Sequence, residues 1–282
     1  MASGSTPAGA PRPDPAPTDR LRIDDLPATA RRAWLDLRDR IVSVLGDDLV
    51  AMWAHGGTVS VGDPVHGGDL DTYVILREPP NADTVQRIEA EHDEAAKSHS
   101  VDWDAWYVVV EDARRPEPPA HAWHERSRDT SWAIHRAHWL AGRYATLHGA
   151  EPGDIVAAPS WDELTGELDR ELEHIERHVL EGDTDPYEAT YALLTGSRIL
   201  YSLATTDVAI SKWAAGTWAL EQLPARWHAA LDAARRTYAG EPFDTDAQLL
   251  ASEMPPFVRF VRKRLPPTTD RPVGSRPRWS GY

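Results

Sequence analysis

The chain contains no cysteine in its 282 residues. Disulfide staples and thiolate metal sites are thereby excluded. It also has no apolar run of eighteen or more residues, which removes an ordinary membrane-spanning helix. The opening stretch, MASGSTPAGAPRPDPAPTDR, lacks the continuous apolar core of a secretion signal. These absences lead to the expectation of a cytoplasmic protein with no membrane partner. Positive charge is also short. Lysine and arginine together number 30 against 45 acidic residues, for a formal net charge of −15, and only Lys97, Lys212 and Lys263 are lysines. Nucleic-acid binders gather many cations at their interface, so this balance argues against a nucleic-acid partner. A small polycationic partner suits it better, although an acidic surface that serves solubility alone suits it as well. No Walker A lysine loop follows a strand and no G-x-G-x-x-G opens a helix, so P-loop and Rossmann chemistry have no foothold.

What is present suffices for two cores, with 41% of residues hydrophobic at a length where chains divide into domains. The pattern predicts an α+β protein in which a small mixed sheet domain, residues 21–118, precedes an all-α bundle, residues 119–265. The Pro-, Ala- and Gly-rich segments 1–20 and 266–282 read as disordered tails. In the first domain, apolar periodicity predicts helices over Ala28 to Leu45 and Ala82 to Lys97, and strands over Leu49 to Ala54, Asp69 to Arg77 and Val101 to Val110. In the second, a helix is expected from about His121 to Thr146, after the break at Pro116 to Pro119. Ser160 and Glu163 then form a capping box for a helix whose Trp161, Leu164, Leu168, Leu172, Ile175 and Val179 share one face. Asp185 and Pro186 start another helix running to about Ala204. Two or three more are expected between Ile210 and Leu265. The chain is expected to work as a monomer.

The chemistry-bearing segment is a strand ending in Ala54-His55, a Gly56-Gly57 turn, the eleven residues Thr58 to Gly68, and then Asp69-Leu70-Asp71 at the head of an apolar strand. Strand side chains alternate, so Asp69 and Asp71 share a face. Two adjacent carboxylates repel, and a hard cation between them relieves the repulsion; Mg²⁺ characteristically takes one or two carboxylates plus substrate phosphate oxygens. Glycines at the preceding turn let backbone N–H groups approach a polyphosphate. The spacing alone carries little, because chance supplies roughly seven acid-x-acid pairs in so acidic a chain. The context carries more: an unpaired charge at the head of an apolar strand is costly. The strand over Val101 to Val110 offers Asp102 and Asp104 on one face. Asp104, set deeper in the apolar run, is the expected third metal ligand and proton acceptor for an attacking hydroxyl, with Asp102 the alternative.

These residues resemble the glycine turn and Asp-hydrophobic-Asp pattern of the DNA polymerase β-like nucleotidyltransferases. The segments Ser197 to Ser202, Ala209 to Lys212, Trp218 to Pro224 and Ala233 to Tyr238 are similar to the C-terminal helices of streptomycin/spectinomycin adenylyltransferases, and the likeness spans roughly residues 30 to 265. The resemblance implies in-line attack of an acceptor hydroxyl on the α-phosphorus of ATP, with pyrophosphate leaving and Mg²⁺ clamping the oxygens. It implies that Asp69 and Asp71 hold the metal and that Asp104 stands where the family usually places a Glu base. Gly57 stands where the aminoglycoside enzymes have Ser, and Thr58 beside it can supply the hydroxyl. Lys212 would contact the ATP phosphates. Glu188 and, one turn on, Tyr191 would contact the acceptor, an aminoglycoside or aminocyclitol antibiotic. A relative that adenylylates another acceptor, or a non-enzymatic member that only binds, would carry the same pattern.

Three further readings come from the residues themselves. Arg198 lies in a stretch, Ala189 to Ala204, that is apolar or small nearly all round, which predicts a partner, either phosphate or a structural carboxylate. His174 and His178, one turn apart on a strongly amphipathic helix, read as solvated surface. Trp123 reads as core.

Overall fold

The computed structural model of the protein describes residues 21–59, 69–124, 126–182 and 185–265. The expected tails 1–20 and 266–282 and the side chain of Thr58 lie outside the described residues.

The α+β expectation holds, with four strands and ten α-helices among the described residues. Helix α1 (Ala28–Leu45) leads to strand β1 (Leu49–Ala54), and β2 (Leu70–Leu76) is joined to β3 (Trp103–Val109) by helix α2 (Ala82–His99). Asn81 caps α2 by accepting from Thr84 N, which satisfies one of its orphan donors. A single turn, α3 (Val110–Ala113), ends this run; α4 (Trp132–Leu140), β4 (Ala145–Gly149) and the short α5 (Pro152–Ile155) follow. The sheet order is β3-β2-β1-β4, with β1 antiparallel to both neighbours and β2 parallel to β3.

One expectation fails here. In place of a single helix over residues 121–146, the chain forms the nine-residue α4 and then a strand. Gly142 at φ 82° turns the backbone out of helix, and Ala145 and Leu147 alternate with less buried neighbours while β4 pairs along β1. The sheet-bearing half therefore runs past residue 118 to include β4.

The pleat sorts the apolar side chains into two layers. Met52, Ala54, Leu70, Val74, Leu76 and Tyr107 pack under α1 and α2 through Trp34, Leu37, Ile41 and Ile88. Ala51, Trp53, Tyr73, Ile75 and Val108 face the other way, onto Trp132 and Trp139 of α4. Asp71 precedes Tyr73 by two on β2, so it projects from this second face.

The helical half is as expected: α6 (Trp161–Glu181), α7 (Pro186–Thr205), α8 (Lys212–Gln222), α9 (His228–Tyr238) and α10 (Asp246–Arg262). The Ser160–Glu163 capping box forms, and Asp185 caps α7 by accepting from Tyr187 N. Helix α7 is central, buried from Ala189 to Ser202 except at Tyr191 and Arg198. Helix α4 ties the halves together. Buried Glu167 of α6 accepts from Ala133 N and Ile134 N, both at 2.9 Å, and so neutralises the positive end of α4. One turn earlier Glu163 pairs with buried Arg136.

Candidate active site

Just past β1, His55 packs on the sheet's second face against Tyr73 and Trp139, and the chain turns at Gly56 with φ 81°. His55 N donates to Asp71 O at 3.0 Å, which fixes the glycine turn against the head of β2. Asp71 lies in parallel register with Asp104 on β3, so the two carboxylates stand on neighbouring strands about 4.8 Å apart in backbone spacing. Asp69 sits just before β2, exposed. Burial, together with the charges of Asp69 and Asp104, pushes the Asp71 carboxyl up to about 7. The Asp104 carboxyl is also raised, by burial against the sheet and by Asp69, although the residue as a whole is open to solvent. Its predicted depth within the apolar run is thus corrected: it stands at the open start of β3. Asp102 lies before the strand, exposed, where its carbonyl accepts from Leu70 N at 2.9 Å. Among the described residues no group of three or more His, Asp or Glu side chains is placed to hold a metal ion.

Under the acidic cluster lies a polar network. Asp129, buried, accepts from Tyr73 Oη at 2.7 Å, from Ser131 N at 2.9 Å, and pairs with His135 Nδ1 at 2.9 Å. Burial alone would raise the Asp129 carboxyl, but the His135 charge and these hydrogen bonds outweigh it and hold it low. His135 moves the other way: burial depresses it, and Asp129 more than restores it, leaving it raised. His55, packed edge-on against His135 at 5.1 Å, is pushed down to about 3 by burial and the His135 charge, so it is a neutral ring.

These groups open into a cleft of about 260 Å³ between the two halves. Its sheet-side wall includes His55, Gly56, Gly57, Asp71, His135 and Arg143; its helical wall includes Glu171, Tyr191, Arg198, Lys212 and Tyr238. Lys212 starts α8, directly after the cap Ser211, with Nζ over the Tyr191 ring at 4.2 Å from its centroid. Burial and then Arg198 lower the ammonium to about 8, against the pull of Glu171, Asp71 and Asp69. Arg198 projects from α7 with Nη2 3.4 Å from His138 Nε2, and burial lowers its guanidinium too. Among the described residues neither Arg198 nor Lys212 forms an ion pair with a carboxylate, and the same holds for Arg143. The carboxylate whose charge acts on Arg198 is Glu171, across the cleft's helical wall without a direct ion pair. Tyr238, at the end of α9, brings its hydroxyl to the glycine turn, 3.6 Å from where a Cβ on Gly57 would stand.

The structure thus brings Gly56, Gly57, Asp71, Tyr191, Arg198 and Lys212 to one cleft, with Asp69 and Asp104 beside Asp71. Glu188 does not line it. Half-buried on the first turn of α7, it lies 3.7 Å from His178 Nδ1. Next to it, exposed Tyr187 feels the charges of Asp69 and Glu188. On the helical wall the acid that lines the cleft is Glu171, which takes the hydrogen bond from Tyr191 Oη. His174 and His178 are half-buried with rings 4.6 Å apart, a correction to their reading as solvated surface. Trp123 packs on Tyr107 and His121 as core. Sequence reasoning missed His135, Asp129, Arg143, Glu171 and the cleft role of His55. Glu171 carried a faint signal, on the polar flank of a confidently amphipathic helix; the others carried none.

Residues 161–264 match the family model described as aminoglycoside adenylyltransferase, C-terminal domain. No curated protein sequence matches the chain. Among solved structures, spectinomycin adenyltransferase AAD(9) from Enterococcus faecialis, crystallised with ATP and spectinomycin, is similar with a TM-score of 0.62 at 16% identity, over 83% of this chain and 98% of that one. The shared fold is the small mixed sheet followed by the helical bundle. The chain resembles the aminoglycoside adenylyltransferases, and its helical half matches their C-terminal domain. Glu188, Tyr191, Arg198 and Lys212 lie inside the matched segment; the acidic cluster, His135 and Arg143 lie outside it.

Proposed function

We propose that the protein transfers AMP from ATP to a hydroxyl of an aminoglycoside or aminocyclitol antibiotic of the streptomycin or spectinomycin type. The observation that carries this reading is the meeting, across one cleft, of Asp71 at the head of β2, with Asp104 its register partner on β3, and the cations of α7 and α8. A nucleoside triphosphate needs both: carboxylates to hold the metal at its phosphates, and cations to balance the departing pyrophosphate.

The residues suit Mg²⁺. Asp71 is held beside two further carboxylates at a cost visible in its raised carboxyl, a cost that a divalent cation would remove. Asp69 and Asp71 would hold it, and when bound it supplies Lewis-acid charge at the reacting phosphate. Asp104, open to the acceptor side and adjacent to Asp71, takes the proton of the attacking hydroxyl. Lys212 and Arg198 neutralise the pyrophosphate as the bond from the α-phosphorus to its oxygen breaks. Gly56 and Gly57 let the backbone approach the phosphates. Asp69, Asp104 and Glu188 supply the negative charge a polycationic acceptor needs. Both walls come from one polypeptide, so a monomer suffices, and the ATP requirement suits the cytoplasm.

The test is Mg²⁺-dependent pyrophosphate release from ATP on addition of streptomycin or spectinomycin, with mass detection of the acceptor carrying one added AMP. Product with wild type and none with Asp71→Ala is the expected result. No product from any aminocyclitol or aminoglycoside overturns the antibiotic reading.

A further inference from the structure

We infer that Arg143 is a third phosphate-binding cation of this cleft, contributed by the sheet-bearing half, and that it engages the phosphates beyond the one held at Asp71. The inference rests on the proposed nucleotide chemistry and deepens it.

Arg143 lies on the turn between α4 and β4, just after Gly142, outside the segment that matches the adenylyltransferase family. It lines the cleft, half-buried, together with Arg198 and Lys212. Among the described residues no carboxylate pairs with it. Its charge acts on both Arg198 and His138, and Arg198 in turn acts on Lys212 and His138. Within the cleft the Arg143 charge thus acts on Arg198, and the Asp71 and Asp69 charges act on Lys212. Burial already lowers Arg198, and Glu171 is one acid for both Arg198 and Lys212, so gathering a further like charge there is unfavourable without a bound anion. A bound anion that reaches all three cations removes that penalty, and a polyphosphate carries the charge to do so. With the reacting phosphorus held at the carboxylates, the phosphates beyond it are left for the cations, Arg143 among them. The planar guanidinium suits bidentate contact with phosphate oxygens.

The experiment is calorimetric titration of the full chain in Mg²⁺ with three probes: ATP, inorganic tripolyphosphate and AMP. Variants Arg143→Ala and Arg143→Gln are compared with Lys212→Ala, and thermal unfolding confirms that each variant folds. The expected result is a loss of about tenfold or more in affinity for ATP and tripolyphosphate in both Arg143 variants, in line with loss of a charged hydrogen bond. AMP affinity should stay within twofold. Arg143→Gln, which keeps most of the side chain's length, should also weaken the salt dependence of tripolyphosphate binding. If Arg143→Gln binds ATP and tripolyphosphate as wild type does while Lys212→Ala does not, Arg143 has no phosphate role and the inference is overturned. If wild type binds neither ATP nor tripolyphosphate, the nucleotide reading of the cleft itself fails, a result distinct from the first.

Discussion

A Cβ placed on Gly56 would stand 1.6 Å from Oδ2 of Asp71. The glycine is needed twice over, for its φ of 81°, which L side chains adopt only at a cost, and for the space the carboxylate occupies. The turn and the acidic pair are one object: the missing side chain of one residue is the seat of the other.

Gly56→Ala should therefore displace Asp71 rather than merely strain a loop. Pyrophosphate release is expected to fall by about a hundredfold, the scale of an ångström-sized misplacement of a reacting group, with a stability loss of roughly 1–3 kcal/mol. Gly57→Ser is the control. Its nearest neighbour is the Tyr238 hydroxyl, 3.6 Å from the added Cβ, an ordinary contact, so activity should stay within a few fold. Steady-state assays and thermal melts of the two variants decide this, and equal tolerance at both positions would show that Asp71 moves aside without cost.

The sequence carried those elements whose signals are local. Helix α1 appears with its predicted bounds because its apolar period is regular, and α6 starts at its capping box because Ser160 and Glu163 are three residues apart. Strand β4 was misread because it has five residues and its identity lies in pairing with β1, far back in the chain. The polar network under the site was illegible for the same reason. Tyr73 and Asp129 are 56 positions apart, and no periodicity joins a strand residue to an acid in an irregular segment. Lys212 stood out because lysine is rare and its surroundings uncharged, whereas Arg143 is one of many arginines.

Asp71→Asn should separate stability from function. In the metal-free protein the folded carboxyl sits near 7, pushed up by burial and its acidic neighbours, above its unfolded value of about 3.9. The folded state then binds the proton more tightly than the unfolded state between those values, so wild-type stability falls as pH rises from about 4 to 7. The amide has no charge to bury. Asp71→Asn is expected to melt higher than metal-free wild type at pH 8, by a margin that shrinks toward pH 4, while pyrophosphate release is lost. Urea unfolding at the two pH values measures it, and a variant less stable than wild type at pH 8 would refute the account of Asp71 as a strained carboxylate.

Asp129→Asn tests the network from below. An amide cannot be ionised and can accept only through one oxygen, so Tyr73 Oη, Ser131 N and His135 Nδ1 can no longer all be satisfied as they are in wild type. A cost of about 2–4 kcal/mol is expected. Two linkages set its pH dependence. The depressed Asp129 carboxyl contributes stability above the ordinary carboxylate range, lost as pH falls through its folded value. The raised His135 contributes stability below about 6.5, lost as pH rises through its own folded value. The stability gap between wild type and variant should therefore be widest from about pH 4 to 6.5 and narrow on either side. Denaturant titrations across that range measure the gap, and a flat profile would mean that His135 is not held charged by Asp129.

Asp104 and Asp102 share a strand face but not an environment. Asp104 is the register partner of Asp71, while Asp102 precedes β3 and contributes its backbone carbonyl to Leu70 N. If Asp104 takes the acceptor's proton, Asp104→Asn should lower kcat by roughly 10²- to 10⁴-fold while ATP affinity changes little, because the set of phosphate-binding cations is left intact. Asp102→Asn keeps the carbonyl and should remain near wild type. Asp104→Glu adds one methylene at a position already open to solvent, so the longer acid can still meet the hydroxyl and should retain a substantial share of activity where the amide retains almost none. The ordering Glu above Asn at position 104 separates loss of the carboxylate from loss of shape. A large loss in Asp102→Asn with a mild one in Asp104→Asn would move the proton acceptor two residues back, to just before the start of β3, and would leave Asp104 as a metal ligand alone.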